Sequence, residues 1–286
     1  MRRLLAPSGW FFKGAEAAAA AEASARAAAV YAQWSAPLTG LFVPAVLDAA
    51  APVGLGTRVL DIATGTGVAA VAAAAAGATV LATDFSPGMV DAAAAALAPY
   101  PAATVKVMDG TALDVPDGAY DVVLSIFGVV TFPEWQAGLA EALRVTAPGG
   151  RLVLATWTSP DGAGYFPTVM ATYRETFPDK PSPVLGAGVA ALSTPAKVTA
   201  ALTAAGAERI SVTPVEQSWV GPPAAGAVEV LAPIFARAPF CASLSKEELA
   251  RFHLSLQAAL ERYAGDDGIL RIPSTALVTL AHKPAA

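Results

Sequence analysis

The nine residues Val59-Leu60-Asp61-Ile62-Ala63-Thr64-Gly65-Thr66-Gly67 limit what this chain can fold into more than any other stretch. Apolar, strand-like residues run into a glycine turn, and Val68 to Ala76 then resume as an apolar helix. In an open α/β sheet such a turn lies outside the carboxyl ends of the strands, where glycines let the backbone approach a ligand closely. The turn alone leaves the ligand open. Gly65-x-Gly67-x-x-Ala70 would equally suit a nicotinamide or flavin dinucleotide fold.

The same rhythm continues downstream. Strand-like Val59-Leu60 is followed by a helix over Ala69 to Ala76, a strand over Thr79 to Ala82, a helix over Val90 to Leu97 and a strand over Thr104 to Val107. Then come a strand at Val122 to Leu124, a helix from about Glu134 to Arg144 and a strand over Arg151 to Thr156. That alternation means a parallel sheet with crossover helices, a doubly wound α/β unit. Ahead of it, Ala15 to Gln33 lacks Pro and Gly and spaces Glu22 and Arg26 at i,i+4, which predicts a helix ending near Pro37. Tyr31 and Trp34, three apart, would share one face of that helix, and a second helix covers roughly Leu41 to Ala50.

After Trp157 the residues Pro160, Gly162, Gly164, Pro167, Pro178, Pro181 and Pro183 predict a long irregular connection. Regular elements then return as a helix over Lys197 to Ala204, a strand over Ile210 to Val215, an amphipathic helix over Lys246 to Tyr263 and a last strand over Ala276 to Leu280. Helical material from about Ala225 to Tyr263 is placed as a cap over a pocket.

Composition narrows the partners. Charged residues are 14% of the chain, against roughly 25% in an average soluble domain, and the net charge of -5 comes with no cluster of Lys and Arg. That lacks the basic footprint of a nucleic-acid or anionic-membrane partner, so neither is expected. The single Cys241 excludes an intrachain disulfide, and with no clustered His no metal site is expected. The most apolar stretch, Val68 to Ala82, is mostly alanine and falls short of the ~20 apolar residues that span a bilayer. Arg2 and Arg3 precede the apolar run Leu4 to Phe12, but Pro7, Ser8 and Gly9 interrupt it, so a cleaved signal is not expected and the location expected is cytoplasmic. The oligomeric state is left open.

Three acids at successive strand ends favour one class of ligand. Asp61 precedes the glycines, where a pyrophosphate would be repelled but a cationic ammonium and sulfonium would be welcome. Asp84 ends the second strand, where a carboxylate can accept both ribose hydroxyl protons. Asp109, in Asp109-Gly110-Thr111, closes the third, where it could accept an adenine amino proton with the Gly110 backbone against the ring. Any one of these could be a helix cap or turn residue. Three together are hard to explain in that way.

From Arg58 to Thr156 the chain resembles the core of class I S-adenosylmethionine-dependent methyltransferases, with Asp84-Phe85-Ser86-Pro87-Gly88-Met89, Asp117-Gly118-Ala119-Tyr120-Asp121-Val122-Val123 and Leu143-Arg144-Val145-Thr146-Ala147-Pro148-Gly149-Gly150-Arg151-Leu152 in the expected order. A weaker similarity, in Tyr31-x-x-Trp34 and in Gly268 to Pro284, is to small-molecule methyltransferases of the ubiquinone-biosynthesis type. The resemblance implies S-adenosylmethionine as cofactor and a small-molecule acceptor. It implies that Asp61 lies near the methionine ammonium, with Ala63, Thr64, Gly65 and Gly67 around it. Asp84 would hold the ribose, and Asp109, Gly110 and Thr111 the adenine, flanked by Phe85 and Met89. Ser125 to Phe127 would lie beside the transferred methyl, and Trp34 would close over the cofactor. Ala63 stands where the family usually has its first glycine, a departure that is tolerated if the backbone angle there is ordinary.

The fold expected is therefore one Rossmann-like, doubly wound, mostly parallel seven-stranded sheet with N-terminal and late-inserted cap helices. Residues 1–54 would form a lid, 55–158 the cofactor core and 159–286 the substrate-side half. No catalytic base is identified. Tyr31, Trp157, Tyr165, Phe166 and His253 are candidates for the acceptor pocket, with Tyr173 as a further liner. Each of these could instead be ordinary core, and His253, near Phe252, Leu256 and Leu260, also suits a structural histidine. His282 reads as a surface residue, Cys241 as a small buried hydrophobe, and Asp114, Asp117 and Asp121 as turn and capping residues. Two rival functions remain: an NAD(P)-dependent oxidoreductase, favoured only by the glycine spacing, and a non-catalytic cofactor-binding module, suggested by the missing base.

Overall fold

The computed structural model describes residues 15–158, 163–183, 186–235 and 238–285. The run Leu4 to Phe12, Pro160 and Gly162 lie outside them. The chain begins with helix α1 (Ala15–Val30), a π-helical turn (Tyr31–Ser35), and helices α2 (Ala36–Gly40) and α3 (Val43–Ala50). Glu22 and Arg26 pair at 2.7 Å as their spacing predicts. Pro37 does not end the helix. It sits in the first turn of α2, where its missing N–H costs nothing, and the wider turn before it absorbs the mismatch.

Seven strands form one sheet: β1 (Arg58–Ile62), β2 (Thr79–Asp84), β3 (Ala103–Val107), β4 (Tyr120–Ile126), β5 (Thr146–Trp157), β6 (Glu208–Pro223) and β7 (Ile269–His282). Their order is β3-β2-β1-β4-β5-β7-β6. The first five pair in parallel, while β7 runs antiparallel between β5 and β6. Helices α4 (Val68–Ala75), α5 (Pro87–Leu97), α6 (Trp135–Val145) and α9 (Pro195–Ala204) accompany the sheet.

Strict alternation along the central strands divides the core into two layers. Val59, Val122, Leu124, Val153 and Ala155 face Val43, Val46, Ala69, Ala70 and Ala73 of α3 and α4. Leu60, Val123, Leu152 and Leu154 face Leu139 and Leu143 of α6 and Val198 and Leu202 of α9. Both faces are covered, which is why these strands read as nearly unbroken apolar runs.

The proline-rich connection is more regular than its composition suggests. It contains helix α7 (Phe166–Thr176), with Pro167 in its first turn, and the short α8 (Ala187–Ala191). Between β6 and β7 come α10 (Ala227–Phe235), α11 (Pro239–Ala242) and α12 (Lys246–Glu261), the last opened by a capping box of Ser245 and Glu248. Tyr165, Val169 and Tyr173 of the α7 region join Leu231 and Phe235 of α10, Phe252, Leu256 and Leu260 of α12, and Trp219 and Ile272 of the long strands in a third apolar cluster. Among the described residues no helix is long and apolar enough to cross a membrane.

Candidate functional site

The carboxyl ends of β1, β2 and β4 meet where the order of the sheet changes direction, since β1 lies between β2 and β4. Asp61 sits there, 1% exposed, and accepts a hydrogen bond from the Thr64 hydroxyl at 2.6 Å. Burial pushes its carboxyl up to about 7, and nearby Asp84 adds to the rise. The loop that follows is bent by left-handed residues. Ala63 has φ 56, Gly65 φ 57 and Gly67 φ 90, with Gly67 capping α4. The condition for tolerating Ala63, an ordinary backbone angle, is not met: an alanine is held in a glycine-like conformation, at a cost of about 1–2 kcal/mol. Its methyl group is accommodated because position 128 is glycine, where a Cβ would lie 2.5 Å from the Ala63 Cβ.

Asp84, at the end of β2, is buried as well, and its carboxyl is raised by desolvation. Its Oδ2 accepts the Gly65 amide at 3.0 Å and its Oδ1 the Ser86 amide at 2.9 Å, so it joins the glycine loop to the start of α5. Each oxygen retains a second lone pair. Gly88 lets α1 dock on that same turn: the Gly88 amide donates to the Ser24 Oγ at 3.0 Å, and a Cβ there would lie 2.6 Å from the Ser24 carbonyl. Sequence reasoning missed this contact, because a glycine at the second position of a helix carries no signal of what approaches it.

Asp109 lies two residues past β3 and is exposed, with its Oδ1 taken by the Thr111 amide (2.8 Å) and hydroxyl (2.7 Å). Gly110 passes so close to Phe132 and Ile62 that a Cβ would meet them at 2.6 and 3.0 Å. Phe85 is 74% exposed beside Asp84 and Met89 is half-buried. A large apolar side chain is thus left open beside a carboxylate. At the end of β4, Ser125 is fully used: its hydroxyl donates to the Ile62 carbonyl at 3.1 Å and accepts from the Val129 amide at 3.2 Å. Phe127 also has a left-handed backbone, φ 59, and stacks on Trp157 with ring centroids 3.7 Å apart.

Residues 59–150 match the family described as methyltransferase domain. That match falls on the parallel half of the sheet. Residues 59–150 carry a methyltransferase domain. Over 116 residues it is 42% identical to the demethylmenaquinone methyltransferase of Mycolicibacterium gilvum, an alignment covering 41% of this chain and 48% of that one. The chain spans about half the length of the curated relatives it matches. In fold it is similar to a Bacillus halodurans protein (18% identity, TM-score 0.55, 85% of this chain and 99% of that chain). It is likewise similar to phosphoethanolamine N-methyltransferase 2 of Haemonchus contortus, solved with phosphomonomethylethanolamine and S-adenosylhomocysteine (20% identity, TM-score 0.52, 85% of this chain and 52% of that chain).

Around the methyltransferase domain the remaining candidates separate. Tyr31 closes a cavity of about 20 Å³ lined also by Thr39, Val43, Asp61, Ala63, Thr64, Val68, Ala69 and Ile126. Its ring lies over the glycine loop, 3.2 Å from where a Gly65 Cβ would be. Trp34 instead packs against the third apolar cluster. The expectation that Tyr31 and Trp34 share a face fails because they lie in a π-helical turn, where three residues no longer complete most of a turn. Tyr165 is fully buried and stacks on Phe166 at 4.8 Å, and Trp157 is half-buried between the central core and the third cluster. Tyr173 is core of that cluster.

His253 is not brought to Asp61. It lies in a surface groove of α10 and α12 with Glu229, Leu254 and Gln257, its ring against Phe235 and Phe252. His282 is the last residue of β7, and its Nδ1 is buried, which corrects the surface reading. Asp121 and Asp117 are ion-pair residues, bonded to Arg58 and Arg144 at 2.6 Å each. Arg144 also donates to the Leu113 and Val115 carbonyls, fastening the loop before β4. Cys241 is buried, and its thiol is pushed up to about 11.

Proposed function

We propose that this protein transfers the methyl group of S-adenosylmethionine to an O, N, S or C atom of a small, largely apolar molecule by direct displacement. The observation that carries the reading is the pair Asp61 and Asp84: two buried carboxylates at adjacent strand ends, both raised by desolvation, with no Lys or Arg bonded to either among the described residues. Such a pair repels a pyrophosphate and favours a ligand that is cationic and rich in hydroxyls, which argues against the nicotinamide alternative.

Asp61 would hold the ammonium, and Asp84 the ribose through the lone pairs not used by Gly65 and Ser86. Asp109 would meet the adenine amino group through Oδ2, with Phe85 and Met89 flanking the ring. The cofactor supplies an electrophilic methyl on a sulfonium. The chain's residues align the acceptor with it and exclude water, and alignment alone can account for ~7–11 kcal/mol of barrier. The name of the Mycolicibacterium relative supports a flat, apolar acceptor.

The whole chain is taken as one unit with residues 1–54 as its lid. The cavity under Tyr31 has room for roughly one water, whereas ligand sites run to roughly 300 Å³ or more. Tyr31 must therefore swing off the glycine loop to admit a cofactor, and the N-terminal segment opens and recloses. Calorimetry tests the assignment: S-adenosylhomocysteine should bind and NADH should not. The reverse pattern would replace this reading with the oxidoreductase.

A further inference from the structure

Two buried hydrogen-bond donors in the third apolar cluster have no partner among the described residues. Tyr165, at the N-cap of α7, is fully buried, and Trp219, on β6, is 1% exposed. Their ring centroids lie 5.0 Å apart at 43°. Neither the Tyr165 hydroxyl nor the Trp219 Nε1 makes a hydrogen bond to an acceptor among the described residues. Stranding one buried donor is costly, and stranding two in one apolar cluster calls for a reason, because Phe at position 165 would fill the same space without the cost.

Their position supplies one. The Tyr165 hydroxyl lies near Ser35 of the π-helical turn and near Tyr31, without a hydrogen bond of good geometry to either. Tyr31 in turn closes the cavity over Asp61 and Thr64. Trp157, stacked on Phe127 at the end of β4, packs against both the central core and the third cluster, and so links the cluster that holds the two donors to the strand ends. Trp34, Trp157 and Phe166 are among the half-buried residues packed on this cluster, Phe166 directly on Tyr165. The cluster's buried members carry no charged side chain.

We propose that Tyr165 and Trp219 are the specificity-determining pair for the methyl acceptor, donating hydrogen bonds to a carbonyl-type oxygen on a flat, apolar ring. This inference rests on the methyl-transfer reading and names the acceptor class within it. Two neutral donors in an uncharged aromatic setting satisfy an oxygen acceptor and offer nothing to an ammonium or a phosphate. Burial holds the Tyr165 hydroxyl well above its ordinary value, so it stays protonated and acts as a donor rather than a base.

The test is a ligand-observed NMR titration of the full chain saturated with S-adenosylhomocysteine, using 1-indanone, its oxygen-free counterpart indane and 1-aminoindane as probes. The native chain should bind indanone about tenfold more tightly than indane, with aminoindane the weakest. In Tyr165→Phe and in Trp219→Phe the preference for indanone should shrink severalfold. Tyr165→Phe, which removes one oxygen and no volume, should melt at or above the native temperature. Its result stands alone if Trp219→Phe fails to fold.

Equal binding of indanone and indane by the native chain would overturn the proposal, as would aminoindane binding most tightly or a preference unchanged in Tyr165→Phe. A Tyr165→Phe melting point several degrees lower would also overturn it, by showing that the hydroxyl holds the fold through Ser35. A native chain that binds no S-adenosylhomocysteine would remove the methyl-transfer reading and this one with it. Retained S-adenosylhomocysteine binding with no oxygen preference removes this one alone.

Discussion

Replacing Asp61 with Asn should make the free protein more stable and worse at holding its cofactor. The carboxyl is lifted from its ordinary 3.8 to about 7 by burial. A folded pKa above the unfolded one means that the folded state binds the proton more tightly, so between those values stability falls as pH rises. Below about pH 4 both states are protonated and nothing is lost; above about pH 7 the full penalty applies. The rise of about 3 units, at about 1.4 kcal/mol each, makes that penalty roughly 4 kcal/mol, an upper figure because part of it is shared with Asp84. Asn carries no charge, and its amide oxygen can still accept the Thr64 hydroxyl.

Urea unfolding followed by circular dichroism should therefore find Asp61→Asn more stable than the native chain by ~2–4 kcal/mol at pH 8, and by ~1 kcal/mol or less at pH 4.5. The same variant should bind S-adenosylhomocysteine at least tenfold more weakly, since it loses a charge-assisted bond of ~1.5–3 kcal/mol. A variant less stable than the native chain at pH 8, or a difference independent of pH, would refute the reasoning about this site.

Three further outcomes follow from other parts of the structure. Ala63→Gly removes a left-handed alanine (φ 56) and should stabilise the chain by about 0.5–1 kcal/mol after glycine's own entropy cost, a rise of roughly 1–3 °C in a melting scan; a lower melting temperature would mean that the Ala63 methyl is needed for packing. Hydrogen exchange with and without S-adenosylhomocysteine should change from about Ala27 to Leu41, where Tyr31 covers the glycine loop, and an unchanged profile there would dismiss the lid. His253→Ala should keep turnover within about tenfold, equal to ~1.4 kcal/mol of barrier, once an acceptor is in hand, because His253 sits in the groove of α10 and α12 away from Asp61; a loss of several thousandfold would make it a base.

The parts of the fold that could be read in the sequence are those where one local signal dominates. The doubly wound half and its strand ends follow from the succession of strand-like and helical runs. The seven strands and the late cap helices follow from the resemblance. What stayed hidden depends on neighbours. β6 was expected to stop at Val215, yet it runs through Pro214, Pro222 and Pro223 to residue 223. It lies at the edge of the sheet, where a missing N–H breaks no ladder. α7 was hidden by Pro167, which begins the helix instead of preventing it. The π-helical turn that sends Tyr31 and Trp34 to different places has no composition signature, and the left-handed angle at Ala63 becomes intelligible only when Gly128 is seen against it.

Methyl transfer itself is tested most directly by incubating the full chain with S-adenosylmethionine bearing a trideuterated methyl group and a lipid-soluble extract of the cells that produce the protein, then comparing extracts by mass spectrometry. A small, apolar species should gain the mass of one trideuteromethyl group in place of a hydrogen, and the gain should vanish with Asp84→Ala. No labelled species in any extract, from a chain that binds S-adenosylhomocysteine, would contradict the account and leave a cofactor-binding module without transfer activity.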